Sequence, residues 1–254
     1  MEPKLTLVGA GPGDPELISL KGIKAIAKAD VVLYDALVDE SLLEYAPKEA
    51  IKIYVGKRAG QHSHSQDEIH KLIVDNALKH GHVVRLKGGD PFVFARGYEE
   101  LAIAKAFGIK TESVIGISSV NLPGLYDIPL TLRGTNESFW VVTATTCKGE
   151  LSKDVTLVAQ STATGIFLMG LGKLKVIVEA YRAHGKDKLP IAIISKGSRP
   201  DAQVIKTTMD NIVELAEKEQ IKSPAIIVAG EVVGQELDQI KVDYLNQPLA
   251  YAIA

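Results

Sequence analysis

The feature that most constrains the fold is an alternation of short apolar runs with longer amphipathic segments. In the first half, the strand-favouring runs are Leu5–Val8, Val31–Tyr34, Ile51–Val55 and Val83–Leu86. Apolar residues recur at helical spacing in three longer segments, Ser19–Ala29, Gln66–Lys79 and Glu99–Phe107. Ser65 is expected to cap the second of these helices. An order of strand, helix, strand predicts parallel strands with helices packed on the faces of the sheet.

The second half repeats this alternation after a break. Its best strands are Phe139–Thr143, Thr164–Met169, Ile191–Ser195 and Ala225–Ala229, and its best helices are Lys173–His184 and Met209–Glu219. Residues 115–136 carry three glycines and two prolines and show weak periodicity, which indicates a domain boundary. We therefore predict an α/β fold of two domains, each a mostly parallel or mixed sheet flanked by helices. The predicted domains are residues 1–114 and 137–243, with a linker at 115–136 and a tail at 244–254.

Glycine and charged residues follow every predicted strand of the first half. These residues are found at positions 9–14 after the first strand, at position 35 (Asp35) after the second, at positions 56–58 after the third and at positions 87–90 after the fourth. Parallel sheets bind ligands outside the carboxyl ends of their strands, so these clusters are expected to meet at one edge. The sequence therefore predicts a small-molecule site there.

The first glycine loop, Gly-Ala-Gly-Pro-Gly-Asp at positions 9–14, departs from the dinucleotide fingerprint. Asp14 stands where that fingerprint needs a third glycine, and Pro12 removes a backbone N–H that would hold pyrophosphate. The Walker pattern is absent as well. A ligand without phosphates, such as S-adenosylmethionine, fits better, because Gly88-Gly89-Asp90 allows close backbone approach and places a carboxylate near a cationic sulfonium. Ordinary turns in both loops remain the alternative at this point.

Composition excludes several other classes of protein. The formal net charge of -2 gives no broad positive field, so we expect no nucleic-acid partner. The single cysteine, Cys147, excludes an internal disulfide framework and a multi-cysteine zinc site, which fits a reducing compartment. No segment is long and apolar enough to span a bilayer, and the N-terminal run resembles no signal peptide. We therefore expect a cytoplasmic location and no membrane partner.

Three histidines near position 66 are candidate ligands of a metal ion. His62, His64 and His70 lie close in the sequence, with Asp67 nearby, but no obvious ligand set is complete. A solvated polar loop before a helix is the favoured interpretation, and we expect no bound metal.

Several long motifs, in order along nearly the whole chain, resemble the tetrapyrrole methylase family. They are Val8–Gly22, Tyr34–Val38, Val55–Gly60, Arg85–Glu100, Ile128–Gly134, Leu168–Gly170 and Ser223–Ala225. The resemblance implies a two-domain α/β fold, usually a homodimer, with S-adenosylmethionine bound in the cleft between domains. The Arg85–Glu100 block is similar to that of members that methylate uroporphyrinogen III at two ring positions. Their product, precorrin-2, leads to sirohaem or cobalamin.

The resemblance also implies which residues form the site. The proton acceptor and donor fall on Asp35 and Lys57. Nine positions are expected to bind the methyl donor: Pro12, Gly88, Gly89, Asp90, Val93, Ser118, Ser119, Met169 and Gly197. Because uroporphyrinogen III is rich in carboxylates, five basic residues within the motifs are expected to bind it: Arg58, Arg85, Lys87, Arg96 and Arg133.

The chain departs from the family pattern mainly around the linker. Ile115, Asp127 and Leu132 stand where the family has proline, glycine and histidine, and Thr145-Thr146 replaces Gly-His. Two alternatives therefore stay open: a relative that methylates a later precorrin or diphthine, and a relative that binds ligand without catalysis.

Overall fold

The computed structural model describes residues 2–56 and 64–235. A first sheet contains strands β1 (Lys4–Gly9), β2 (Val31–Tyr34), β3 (Ile51–Tyr54), β4 (His82–Lys87) and β5 (Lys110–Val114). These strands are parallel and lie in the order β3-β2-β4-β1-β5. The parallel pairing predicted from the sequence is therefore confirmed, and β5 is an additional edge strand.

Helices cover both faces of this sheet. They are α1 (Leu20–Ile26), α2 (Gln66–His80) and α3 (Gly97–Ala106), and a 3-10 helix spans Glu40–Tyr45. Side chains alternate between the faces along each strand. Val8 and Val84 pack in the cluster that contains Ile26 of α1, whereas Leu7 and Val83 pack in the cluster that contains α2 and α3 residues. Burial on both faces explains why the central strands read as continuous apolar runs.

Helix α2 begins where the sequence predicts. The Ser65 hydroxyl accepts a hydrogen bond from the Glu68 N–H at 3.2 Å, and the Glu68 carboxylate accepts one from the Ser65 N–H at 2.6 Å. This capping box satisfies two N–H groups that the helix leaves without partners. The predicted cap at Ser65 is therefore confirmed.

A second sheet is mixed. Its strands are β6 (Phe139–Thr143), β7 (Thr164–Leu168), β8 (Pro190–Ser195), β9 (Gln203–Thr208) and β10 (Ala225–Ala229). The order is β6-β7-β10-β8-β9, and only the β6–β7 pair is parallel. One face packs against α4 (Asp154–Gln160), α5 (Leu174–Arg182) and α6 (Ile212–Lys218). Strand β9 and helix α4 are not among the predicted elements.

Residues of the predicted linker cover the opposite face of the second sheet. A 3-10 helix spans Ser119–Tyr126, and its Val120 and Leu122, with Ile128 beyond it, are buried against strands β7, β8 and β10. Further 3-10 helices span Pro15–Leu17, Leu171–Lys173 and Glu231–Gly234. The predicted domain limits stay a prediction. Among the residues described, no helix combines the length and apolar character that crossing a membrane requires.

Candidate active site

Two glycine loops meet at the carboxyl ends of β1 and β4. The Gly89 N–H donates to the Gly11 carbonyl at 2.7 Å, and the Gly11 N–H donates to the Gly89 carbonyl at 3.3 Å. The Ala10 N–H also donates to the Lys87 carbonyl at 2.8 Å. Backbone pairing therefore joins the two loops without help from side chains.

Asp90 ties the second glycine loop to the linker. One carboxylate oxygen accepts a hydrogen bond from the Phe92 N–H at 2.8 Å, and the other accepts one from the Gly116 N–H at 3.0 Å. Gly116 in turn lies against Gly9 and Gly89 so closely that a Cβ atom at position 116 would lie 2.3 Å from the Gly89 carbonyl oxygen. The carboxylate of Asp90 therefore shapes the loops around the site.

A cavity of about 600 Å³ opens beside these loops. Its wall combines the ends of β1, β2 and β4 with residues of the linker and with the loops after β7 and β8. Such a volume is typical of a small-molecule site. All nine residues expected to bind the methyl donor line this cavity, and Asp35 and Lys87 line it with them. The structure thus brings the predicted donor residues together, although their binding role stays a prediction.

The cavity offers little to a phosphate group. Pro12 in the first loop has no N–H, and the carboxyl groups of Asp35 and Asp90 belong to the wall. Among the described residues that line the cavity, three are cationic, and each has a protein partner: Lys87 with Glu100 at 2.7 Å, Lys196 with Asp201 at 2.5 Å, and Arg199 with the Leu37 carbonyl at 3.1 Å. Lys87 and Lys196 are therefore paired with carboxylates, and Arg199 is the one of these three that keeps N–H donors for an anion.

A second cavity, of about 620 Å³, adjoins the first. The two cavities share Phe94, Ala95 and Met169. The second one is otherwise lined by aromatic and polar side chains, which include Phe92, Arg96, Tyr98, Glu99, Thr145, Thr146 and Cys147. A large planar ligand could contact this wall while one edge faces the first cavity.

Arg96 is the one cation among the described residues that line the second cavity. Its Nε and Nη2 donate to the Glu99 carboxylate at 2.9 and 2.5 Å, and the side chain is 54% exposed. These hydrogen bonds lower the pKa of Glu99 and raise the pKa of Arg96. A guanidinium has five N–H donors, so Arg96 keeps capacity for a further carboxylate.

Arg85 and Lys87, both expected to bind substrate, lie inside the fold. Arg85 is 3% exposed, and its guanidinium contacts the Leu86 carbonyl, Asp35 and Glu100. Burial and the charge of Arg85 lower the pKa of Lys87, whose ammonium group is bound to Glu100. Because these charges already have internal partners, we expect neither side chain to be free to bind a substrate carboxylate.

The remaining predicted residues fall into two groups. Lys57, Arg58 and His62 lie outside the described residues. Arg133 is exposed in the turn before β6 and is not among the described residues that line either cavity. The prediction that Arg58 and Arg133 bind substrate stays a prediction.

The structure adds residues that the motifs did not single out. Leu37, Phe94, Lys196 and Arg199 also line the first cavity. Phe94, Met169 and Lys196 adopt left-handed backbone conformations, with φ of 54°, 53° and 50°. Such conformations cost non-glycine residues about 1–3 kcal/mol and cluster at functional sites. The sequence carried no comparable signal for Lys196, because β8 pairs antiparallel with both of its neighbours and the strand-end rule that identified Asp35 applies to parallel sheets.

The fold and the paired cavities define an α/β protein with a small-molecule site between loops of two sheets. The pattern of the tetrapyrrole (corrin/porphyrin) methylases matches residues 4–213, and the chain belongs to this family.

Relatives and solved structures agree with this placement. The chain is 47% identical to a uroporphyrinogen-III C-methyltransferase of Methanocaldococcus jannaschii, over 92% of this chain and 98% of the relative. It is 42% identical to an S-adenosyl-L-methionine-dependent uroporphyrinogen III methyltransferase of Methanosarcina barkeri, over 91% of this chain and 92% of the relative. A siroheme synthase of Actinobacillus pleuropneumoniae is 45% identical over 92% of this chain, which spans 48% of that longer protein.

A solved structure resembles the whole fold. The uroporphyrin-III C-methyl transferase of Thermus thermophilus, complexed with S-adenyl homocysteine, superposes with a TM-score of 0.78. Its sequence is 38% identical, and the match covers 91% of this chain and 99% of that one. The α/β architecture predicted from the sequence is therefore confirmed.

Proposed function

We propose that this protein transfers methyl groups from S-adenosylmethionine to two ring positions of uroporphyrinogen III and so forms precorrin-2. The observation that carries the proposal is the first cavity, which collects all nine expected donor residues and Asp35 within one wall. The names of the relatives support the choice of donor and acceptor. The product would serve sirohaem or cobalamin synthesis.

The residues present fit the donor. Glycines line the cavity where the backbone must lie close to neighbouring groups: a Cβ atom on Gly88 would lie 2.4 Å from the Cβ of Leu37. When bound, S-adenosylmethionine supplies an electrophilic methyl group on its sulfonium centre. Pro12, the loop at 88–90, Val93, Ser118, Ser119, Met169 and Gly197 would hold it. Their main contribution is to fix its orientation, since positioning lowers the barrier of a two-substrate transfer.

Asp35 would complete the reaction. A ring carbon of the acceptor would use an electron pair to form the new C–C bond while the sulfur–methyl bond of the donor breaks. S-adenosylhomocysteine would leave with the electron pair of that bond, so the positive charge would pass to the acceptor. Restoring neutrality requires the loss of one proton from the ring system. The Asp35 carboxylate lies on the wall of the donor cavity and can accept that proton as general base.

We place the acceptor in the second cavity. The aromatic side chains there suit a flat macrocycle, and Arg96 supplies a cation for one of its carboxylates. The three shared residues, Phe94, Ala95 and Met169, join the cavities, so the reacting edge of the acceptor would enter the first cavity, whose wall carries Asp35. We therefore expect Arg96→Ala to weaken tetrapyrrole binding more than donor binding, and equal effects on both ligands would refute this placement.

Further parts of the proposal rest on the resemblance. We propose a homodimer, for which light scattering coupled to gel filtration gives the test. We also propose a cytoplasmic location, which the use of a single cysteine supports.

The deciding experiment is an anaerobic assay with uroporphyrinogen III and S-adenosylmethionine. Product mass and S-adenosylhomocysteine are followed together, with enzyme-free and donor-free samples as controls. A gain of two methyl groups with a matching amount of by-product is expected. A gain of one would refute the double transfer. Donor binding without transfer would identify a different acceptor, and no binding of donor would identify a relative without catalysis.

A further inference from the structure

A cluster of buried charges lies beneath the wall of the first cavity. Arg85 and Lys87 stand two positions apart on β4, so both point to the face that α2 and α3 cover. Glu100 of α3 is fully buried, and one of its oxygens accepts from Lys87 Nζ at 2.7 Å and from Gln66 Nε2 at 3.3 Å. Arg85 Nε lies 3.5 Å from the same oxygen.

The guanidinium of Arg85 reaches three different groups. Nη1 donates to the Leu86 carbonyl at 2.8 Å, Nε faces Glu100, and Nη2 donates to Asp35 Oδ2 at 3.4 Å. The planar fork fixes the directions of these donors relative to one another. Because the side chain is only 4% exposed, its position is set by the interior of the protein.

Asp35 is held through both of its oxygens. Oδ1 accepts a hydrogen bond from the Leu37 N–H at 3.1 Å, while Oδ2 faces Arg85 Nη2. The side chain of Asp35 is 23% exposed and lines the cavity. One donor on each oxygen fixes the plane of the carboxylate at the cavity wall.

We propose that Arg85 is a positioning residue that orients the Asp35 carboxylate and does not contact the substrate. The inference rests on the proposed function, in which Asp35 accepts the proton. Arg85 anchors to Leu86 and Glu100 on the inner side and presents Nη2 to Asp35 on the cavity side. Glu100 has a second cation in Lys87, so replacing Arg85 does not leave the buried carboxylate without a counter-ion.

The test is a double-mutant cycle with Arg85→Met and Asp35→Asn, followed by single-turnover measurement of product mass. In the wild-type background, Arg85→Met is expected to lower the rate about 10- to 100-fold, because small misplacements of a reacting group are costly. The KM for the tetrapyrrole and the Kd for S-adenosylhomocysteine should each change less than about threefold. In the Asp35→Asn background, Arg85→Met should change the rate less than about threefold, because residues that act as a unit are not additive.

Two further variants complete the design. Arg182→Met removes a surface ion pair with Glu179 on α5 and should leave the rate unchanged. Arg85→Lys keeps the charge but loses the fork, so it should recover part of the lost rate. If Arg85→Met gives no cooperative thermal unfolding, the cycle is run with Arg85→Lys instead.

Each outcome separates the inference from the proposed function. A raised KM with an unchanged rate would overturn the positioning role, since it indicates direct contact with substrate. An equal loss in both backgrounds would overturn it as well, since it indicates a general structural effect. A wild-type protein that transfers no methyl group, or an Asp35→Asn variant with the wild-type rate, would overturn the proposed function and the inference together.

Discussion

Gly116→Ala tests whether the close approach of three glycines shapes the donor site. A Cβ atom at position 116 would lie 2.3 Å from the Gly89 carbonyl oxygen and 2.7 Å from the Gly9 Cα. Both neighbours belong to the backbone, so no side chain can rotate away from the added methyl group. The φ of Gly116 lies outside the left-handed range, so alanine is excluded by space alone.

The expected magnitude follows from this overlap. Forcing a methyl group into a filled space costs about 1–3 kcal/mol. In a protein of this size, each kcal/mol lowers the melting temperature by about 2–4 °C, so a decrease of about 2–12 °C is expected. Donor binding should weaken too, because the Gly116 N–H donates to Asp90 and the overlap displaces Gly89. A loss of about 1.4 kcal/mol in the bound state would raise the Kd tenfold.

Thermal unfolding and calorimetric titration with S-adenosylhomocysteine measure both effects. Gly124→Ala is the matched control, because a Cβ atom there has no described neighbour within 4 Å and its φ is also outside the left-handed range. It should change stability by less than about 0.5 kcal/mol. If Gly116→Ala unfolds and binds donor like Gly124→Ala, the glycine contact does not define the site.

Three further predictions concern separate parts of the molecule. The Tyr181 hydroxyl is buried without a hydrogen-bond partner among the described residues, and burial raises its pKa; Tyr181→Phe should therefore raise the free energy of unfolding in denaturant by about 1 kcal/mol, and a decrease would reveal a partner. Hydrogen bonds from Lys4 and Lys21 lower the pKa of Glu112 from 4.5 to about 2. The stabilisation is thus present above pH 4.5 and is lost as the pH falls toward 2. Glu112→Gln should cost less than about 1 kcal/mol at neutral pH, and a difference from wild type that persists at pH 2 would contradict this origin. Asp90→Ala removes the acceptor for two loop N–H groups and should weaken binding of S-adenosylhomocysteine in calorimetry, whereas an unchanged Kd would argue against that role.

The sequence predicts the elements whose signal is local. The central strands of the first sheet are buried on both faces, so their sequences are continuous apolar runs. The start of α2 is predicted by the capping box that Ser65 and Glu68 form. Strands β5 and β9 are absent from the prediction because their sequences, KTESV and QVIKTT, mix polar with apolar residues. The other two edge strands, β3 and β6, are mostly apolar or aromatic and were predicted. Helix α4 is as short as α1 and α6, but its Val155, Thr156 and Val158 are β-branched residues of low helix propensity, so its helical signal is weak.

The candidate site likewise combines residues that the sequence could locate with features that it could not predict. Glycine and aspartate at strand ends could be located from the order of strands alone, and the structure places Asp35 and the loop at 88–90 on one cavity. The burial of Arg85 could not be predicted from its motif. A buried arginine is tolerated only with partners, and one of them, Glu100, lies 15 positions later on a different element.

The two cavities differ in what determines their shape. The loops at 9–14 and 88–90 are joined by backbone hydrogen bonds between Gly11 and Gly89 and by glycine contacts, and Asp90 is the main side chain that shapes them. The second cavity is walled by side chains such as Tyr98, Thr145 and Thr146, so its size and polarity change directly with sequence. A fold built this way can keep one methyl donor while its acceptor changes. If the acceptor binds in the second cavity as proposed, the departure from the family at 145–146 should act on the acceptor first. It should reach the donor only through the Thr145 hydroxyl, which donates to the Met169 carbonyl at 3.0 Å.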